Sequence, residues 1–111
     1  MSTGIRVAAV EDIPEGEGLK IDKSVTGTAD DIALLHDTDG SIWALDDTCL
    51  HGDASLSEGW VEDGCVECPL HTSRFCLSDG KVQGLPATED QKPHRVEVRD
   101  GEVYLFPGEA P

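Results

Sequence analysis

No lysine or arginine occurs between Lys23 and Arg74, while Asp30, Asp31, Asp37, Asp39, Asp46, Asp47, Asp53, Glu58, Glu62, Asp63 and Glu67 all fall inside that interval. Over the whole chain, 8 basic residues face 23 acidic ones, a formal net charge of -15. Nucleic acid and anionic membranes are therefore poor partners. Long apolar runs are missing too. Nowhere do eighteen apolar residues stand together, and Met1 to Ala9 has no basic segment leading into an apolar one, so the expectation is a soluble, unexported, cytoplasmic protein. With 111 residues there is no room for a separate catalytic domain, and the chain buries roughly two-thirds of its unfolded surface in one modest core.

Helical periodicity is scarce, and strand patterns take its place. Asp31 to His36 and Ser41 to Leu45 flank Asp39-Gly40, which reads as a two-residue type I′ hairpin turn. Asp100-Gly101 repeats the device, with Val96 and Val98 alternating before it and Val103 and Leu105 sharing a face after it. Ile5 to Val10 and Leu19 to Ile21 are weaker strand candidates around the loop Glu11 to Gly18, which holds Pro14, Gly16 and Gly18. The alternation lapses between about Asp46 and Pro86, where Gly, Pro, Asp and all four cysteines gather. The fold class expected is all-β. A single domain, 1-111, is expected to have a base of about 1-45 and 87-107 and an inserted lobe of about 46-86. Short strands at Cys65 to Cys68 and Arg74 to Leu77 would hold the lobe's loops.

Two pairs in that lobe carry chemistry, Cys49-x-His51 and Cys68-x-x-His71, with sixteen residues between them. Each offers a thiolate and an imidazole from a tight local loop. Four such donors suit a Cys2His2 zinc site, and they equally suit a 2Fe-2S core shared between two sulfurs and two nitrogens. Donor count does not separate these readings, but zinc fingers usually group Cys with Cys and His with His. A disulfide framework is disfavoured because two of the cysteines stand beside histidines at ligand spacing.

Cys49-Leu50-His51-Gly52 and Cys68-Pro69-Leu70-His71, followed by Arg74-Phe75, Asp79-Gly80-Lys81 and Leu85-Pro86-Ala87, resemble the Rieske-type 2Fe-2S ferredoxins of bacterial ring-hydroxylating dioxygenase systems. The resemblance spans nearly the whole chain. It implies the Rieske fold, small antiparallel sheets with an inserted cluster-binding lobe at an exposed tip. Cys49 and Cys68 would bind one iron, and His51 and His71 the other. Gly84-Leu85-Pro86-Ala87 is similar to the proline-containing loop that covers the cluster in that family. The implied function is one-electron transfer, with no catalysis of its own, from an NAD(P)H-dependent flavin reductase to a terminal oxygenase. Alternatives are the small Rieske-like subunit of an assimilatory nitrite reductase and a zinc-binding interaction module.

Departures from the family pattern bear on the potential. Ala54 and Leu70 stand where high-potential relatives carry a loop-bridging disulfide, and Phe75 stands where they have a tyrosine hydroxyl. Ser73 offers a hydroxyl where the ferredoxins usually have glycine. The Ser73 hydroxyl would raise the potential, but the missing loop disulfide, the missing tyrosine hydroxyl and the acidic surround push it down, and the expected midpoint is roughly -150 to 0 mV, the low end of the Rieske range. Clustered acids beside the ligands also suggest steering toward a partner with a basic docking patch. Leu50, Leu70 and Pro86 would rim the exit for the electron. Cys65 and Cys76 read most simply as small core residues in a reduced compartment, with a local disulfide as the alternative, and Trp43 and Trp60 read as packing residues. His36 and His94 read as surface or strand residues without a role.

Overall fold

The computed structural model describes residues 4–28, 30–48, 55–68, 74–81 and 91–109. Its strands are β1 (Ile5–Ala9), β2 (Gly18–Ile21), β3 (Ile32–His36), β4 (Ile42–Asp46), β5 (Trp60–Glu62), β6 (Cys65–Glu67), β7 (Arg74–Cys76), β8 (Pro93–Arg99) and β9 (Glu102–Phe106). They form a six-stranded sheet, ordered β1-β9-β8-β4-β3-β2, and a three-stranded sheet, β5-β6-β7, with every pairing antiparallel. The larger sheet is two three-stranded groups joined at β8, whose first residues, Pro93 and His94, pair with Leu45 and Ala44. The rest of β8 pairs with β9. The all-β expectation is met.

All five residues of β3 are buried, because both of its faces are covered. Its period-2 alternation then serves two cores. Ala33 and Leu35 meet Leu45, Leu56, Val61, Val66, Cys68, Phe75 and Leu77, with Trp43 packed alongside. Ile32 and Leu34 meet Ala8, Ile13, Ile21, Ile42, Ala44, Val103 and Leu105. The first core therefore lies between the large sheet and the small one, and it contains Cys68. Truncating Phe75 there would cost about 3–5 kcal/mol, the usual range for an aromatic core deletion.

Turn chemistry explains where the hairpin reading succeeds and where it fails. Asp100 and Gly101 have φ of 51° and 77°, and Arg99 faces Glu102 across them, the expected type I′ turn. Asp63-Gly64, at 52° and 77° between Glu62 and Cys65, is a second such turn that the sequence reading passed over. Asp39-Gly40 is not one. His36 faces Ile42, and the loop closes by Asp37 N–H donating to Ser41 O at 2.9 Å, leaving three residues at the tip. Gly40 N–H returns to Asp37 O at 3.0 Å, and Gly40 alone takes positive φ, at 93°. Asp39 is held instead by its carboxylate, which accepts from Ser41 Oγ at 2.5 Å and Ser41 N at 2.9 Å. Those two bonds, the hydroxyl's first, keep Asp39 below the ordinary carboxylate range.

One α-helical turn was also missed, α1 (Lys23–Thr26). It is capped by Asp22, whose carboxylate accepts from Ser24 N at 2.8 Å, and it ends at Gly27 with φ 71°. Four residues are too few for periodicity to register, though the Asp and Gly caps were in view. His36 and His94 are strand residues as read, but both are buried. His36 Nδ1 lies 2.7 Å from Ile13 O. His94 accepts from Gly108 N–H at Nδ1, 2.9 Å, which leaves its proton on Nε2, donated to Asp46 Oδ1 at 2.7 Å. Trp60 departs from its expected packing role, being 62% exposed on β5.

Candidate metal centre

Three loops leave from interlocked stems. The first departs after β4 and returns at Ser55, where an isolated bridge pairs Thr48 with Ser55. The second departs from Cys68, just past the last β6–β7 partners, Glu67 and Arg74. The third departs after Lys81, and its base is closed by Gln91 N–H donating to Gly80 O at 2.8 Å. Cys49, His51 and His71 lie outside the described residues, as do Leu50, Ala54, Leu70, Ser73 and the segment Gly84 to Ala87. Cys68 is described, and it carries a free, fully buried thiol in the core shared by the two sheets.

The stems hold one another. Between the first and third, Gln91 Nε2 donates to Asp46 O at 2.9 Å and to Thr48 O at 3.0 Å. Between the first and second, Gly59 closes the short helical turn Leu56–Glu58 and lies so tightly on Glu67 that a Cβ there would run into the Glu67 carbonyl. Between the second and third, Cys76 N–H donates to Lys81 O at 2.9 Å and Gly80 N–H to Cys76 O at 2.8 Å. The three stems are thereby fixed relative to one another.

Asp47, 2% exposed, organises the first stem. Its carboxylate accepts from Ser55 Oγ at 2.5 Å and Ser57 N at 2.9 Å, and its carbonyl accepts from Leu56 N at 2.8 Å. Asp30 holds the same stem from outside, accepting from Thr48 N at 3.0 Å and Thr48 Oγ1 at 2.7 Å. Sequence reasoning placed both among steering acids and missed Gln91 entirely. The signal available for Asp47 was its place directly before the first ligand loop. Asp47→Ala strips Ser57 N–H of its acceptor inside the protein and is expected to cost about 2–3 kcal/mol. Asp47→Asn, which keeps an acceptor oxygen, should lose less, and urea denaturation compares the two.

The acidic stretch thus divides. Asp30, Asp31, Asp37, Asp46 and Asp47 are engaged in loop and stem hydrogen bonds. Asp39, Glu58, Glu62 and Asp63 are exposed. Cys65 and Cys76 correct another expectation. Val66 and Phe75 between them face the core, so the two cysteines stand half-buried on the opposite, outer face.

The donor chemistry fits a 2Fe-2S group. A thiolate buried like Cys68 is costly by itself and becomes favourable when a metal neutralises it. It stands on a strand end braced against the other two stems. The sequence also carries Cys49, His51 and His71, a second thiol and two imidazoles, the donor types that division requires.

Comparisons with known proteins agree. The family model for the Rieske [2Fe-2S] domain matches residues 3–107. A 3-phenylpropionate/cinnamic acid dioxygenase ferredoxin subunit of Photorhabdus laumondii is 48% identical over 100 residues, 89% of this chain and 90% of that protein. The ferredoxin of carbazole 1,9a-dioxygenase from Nocardioides aromaticivorans superposes with a TM-score of 0.82 at 30% identity, covering 96% of this chain and 99% of that one. A chain in the complex of reduced oxygenase and oxidized ferredoxin of carbazole 1,9a-dioxygenase gives 0.79 at 34% identity, covering 92% and 100%. Iron, not zinc, is therefore the metal, and the chain belongs to the Rieske [2Fe-2S] family as a ferredoxin, an electron carrier rather than a catalytic subunit.

Proposed function

We propose that Cys49 and Cys68 hold one iron and His51 and His71 the other, and that the chain passes single electrons in the cytoplasm from a flavin-dependent NAD(P)H reductase to a terminal oxygenase. The observation that carries this reading is Cys68: a buried, free thiol at the mouth of a loop whose stem is braced against the two neighbouring loop stems. When bound, the cluster supplies one-electron redox chemistry. The chain's own part is to orient the ligands, exclude water from Cys68 and set the charge around the site. Phe75, 1% exposed in the same core as Cys68, offers no hydroxyl there and supports the low-potential reading. The division into a base, about 1-45 and 87-107, and a lobe, about 46-86, is supported by the separate three-stranded sheet β5-β6-β7. Among the described residues, no helix is long and apolar enough to cross a membrane.

The ferredoxin subunit names and the oxygenase complex support an oxygenase as electron acceptor. Iron and acid-labile sulfide analysis tests the cofactor, with about two of each per chain expected for a single 2Fe-2S cluster. Stopped-flow reduction of candidate oxygenases tests the partner. The net charge of -15 makes encounter with a basic patch salt-dependent. The second-order rate is expected to fall about tenfold from low salt to 1 M, where screening shrinks to about 3 Å. Rates that do not change with salt would remove steering from the account.

A further inference from the structure

Cys65 and Cys76 are direct partners across the β6–β7 ribbon. The kind of pair follows from its neighbour. Leu77 N–H donates to Gly64 O at 2.9 Å, so Gly64 and Leu77 are a hydrogen-bonded pair, and the next pair along, Cys65 and Cys76, is non-hydrogen-bonded. Cys76 N–H accordingly turns out of the ribbon to Lys81 O, at 2.9 Å. Partners of this kind bring their Cα atoms to about 4.5 Å and their side chains closest together. That spacing falls within the about 4.4–6.8 Å that disulfides span. Both thiols are free, and both are half-buried on the outer face, within reach of small reagents. Burial, and after it contact with the Cys65 thiol, pushes the Cys76 thiol up, as expected of neighbouring sulfurs.

We propose that Cys65 and Cys76 are a reversible cross-strand thiol–disulfide pair that reacts with low-molecular-weight disulfides such as oxidised glutathione and, when closed, staples the stem of the loop beginning at Cys68. One protein thiolate attacks a sulfur of glutathione disulfide, forming a mixed disulfide and releasing one glutathione thiolate. The second protein thiolate attacks the protein sulfur of that mixed disulfide, forming the Cys65–Cys76 bond and releasing the other glutathione. The two protein thiols lose two electrons and two protons, and glutathione disulfide takes them up as two glutathiones. Closure encloses the ligand candidates Cys68 and His71 in a covalent ring. It restricts the unfolded chain and ties β6 to β7 at the end away from the loop.

The test equilibrates the intact iron-loaded protein, without oxygen, in glutathione buffers of increasing oxidised fraction. It then blocks free thiols with N-ethylmaleimide and reads intact mass, peptide linkage, iron content and melting temperature. Expected are loss of two hydrogens without a retained glutathione, linkage of the Cys65 and Cys76 peptides, retained iron, and a melting temperature higher by about 5 °C or more. Cys65→Ser and Cys76→Ser should each stop at the mixed disulfide and show no such rise. Two maleimide-blocked thiols across the whole series would overturn the proposal, as would linkage through Cys49 or Cys68 with loss of iron. A linked pair without a rise in melting temperature would overturn the stapling role.

Discussion

Cys68→Ser is expected to purify colourless, with essentially no iron and no electron-carrier activity. The side chain is fully buried in the core formed by Val61, Val66, Phe75 and Leu77, so the replacement hydroxyl is placed where water does not reach it. Serine keeps the volume and loses the donor, because an alcohol does not deprotonate to a soft thiolate ligand near neutral pH. Cluster binding also stabilises the folded form by mass action, so the variant should melt well below the loaded protein. Cys65→Ser and Cys76→Ser are the controls. They lie on the outer face and should keep their iron, which separates loss of a ligand from loss of a cysteine. A brown Cys68→Ser protein with two irons would remove Cys68 from the ligand set.

Gly80→Ala is expected to destabilise the fold by about 2–5 kcal/mol, although it adds a single methyl group. Gly80 has φ +74°, and a side chain there carries a left-handed penalty of about 1–2 kcal/mol. The new Cβ would also run into the Gln91 carbonyl, and overpacking of that kind costs about 1–3 kcal/mol. Moving Gln91 disturbs its bonds to Asp46 O and Thr48 O, so the damage reaches the first ligand stem from the third. Urea denaturation measures the stability loss, and the rate of iron release to a chelator, expected to rise, measures the effect on the site. Gly101→Ala is the comparison, since its φ is +77° but no atom lies within 4 Å of its Cβ. It should pay the backbone penalty alone and release iron at the ordinary rate.

How much of this was legible in the sequence depended on how local the signal was. The strands Ile32–His36 and Ile42–Asp46, expected at Asp31 to His36 and Ser41 to Leu45, and the Asp100-Gly101 turn depend on neighbours within a few residues and agree with the sequence reading. Asp39-Gly40 misled because the dipeptide is the same in two- and three-residue turns, and the Ser41 bonds to Asp39 decide between them. The face of Cys65 and Cys76 was misassigned because a three-residue strand has too few positions to show which side is the core. Asp47 and Gln91 were missed as positioning residues because their partners lie up to 45 residues away, and a buried acid looks like an exposed one until those partners are known. The candidate ligands were the most legible part, since Cys-x-His and Cys-x-x-His are themselves local patterns.

The central claim is mixed cysteine and histidine ligation of a two-iron cluster, and electron paramagnetic resonance of the dithionite-reduced protein tests it most directly. Replacing two thiolates by imidazoles on one iron lowers the average g value relative to an all-cysteine cluster, as ligation by Cys49, Cys68, His51 and His71 requires. A signal with the average g of an all-cysteine cluster, or a colourless protein holding one zinc and giving no signal, would contradict the account.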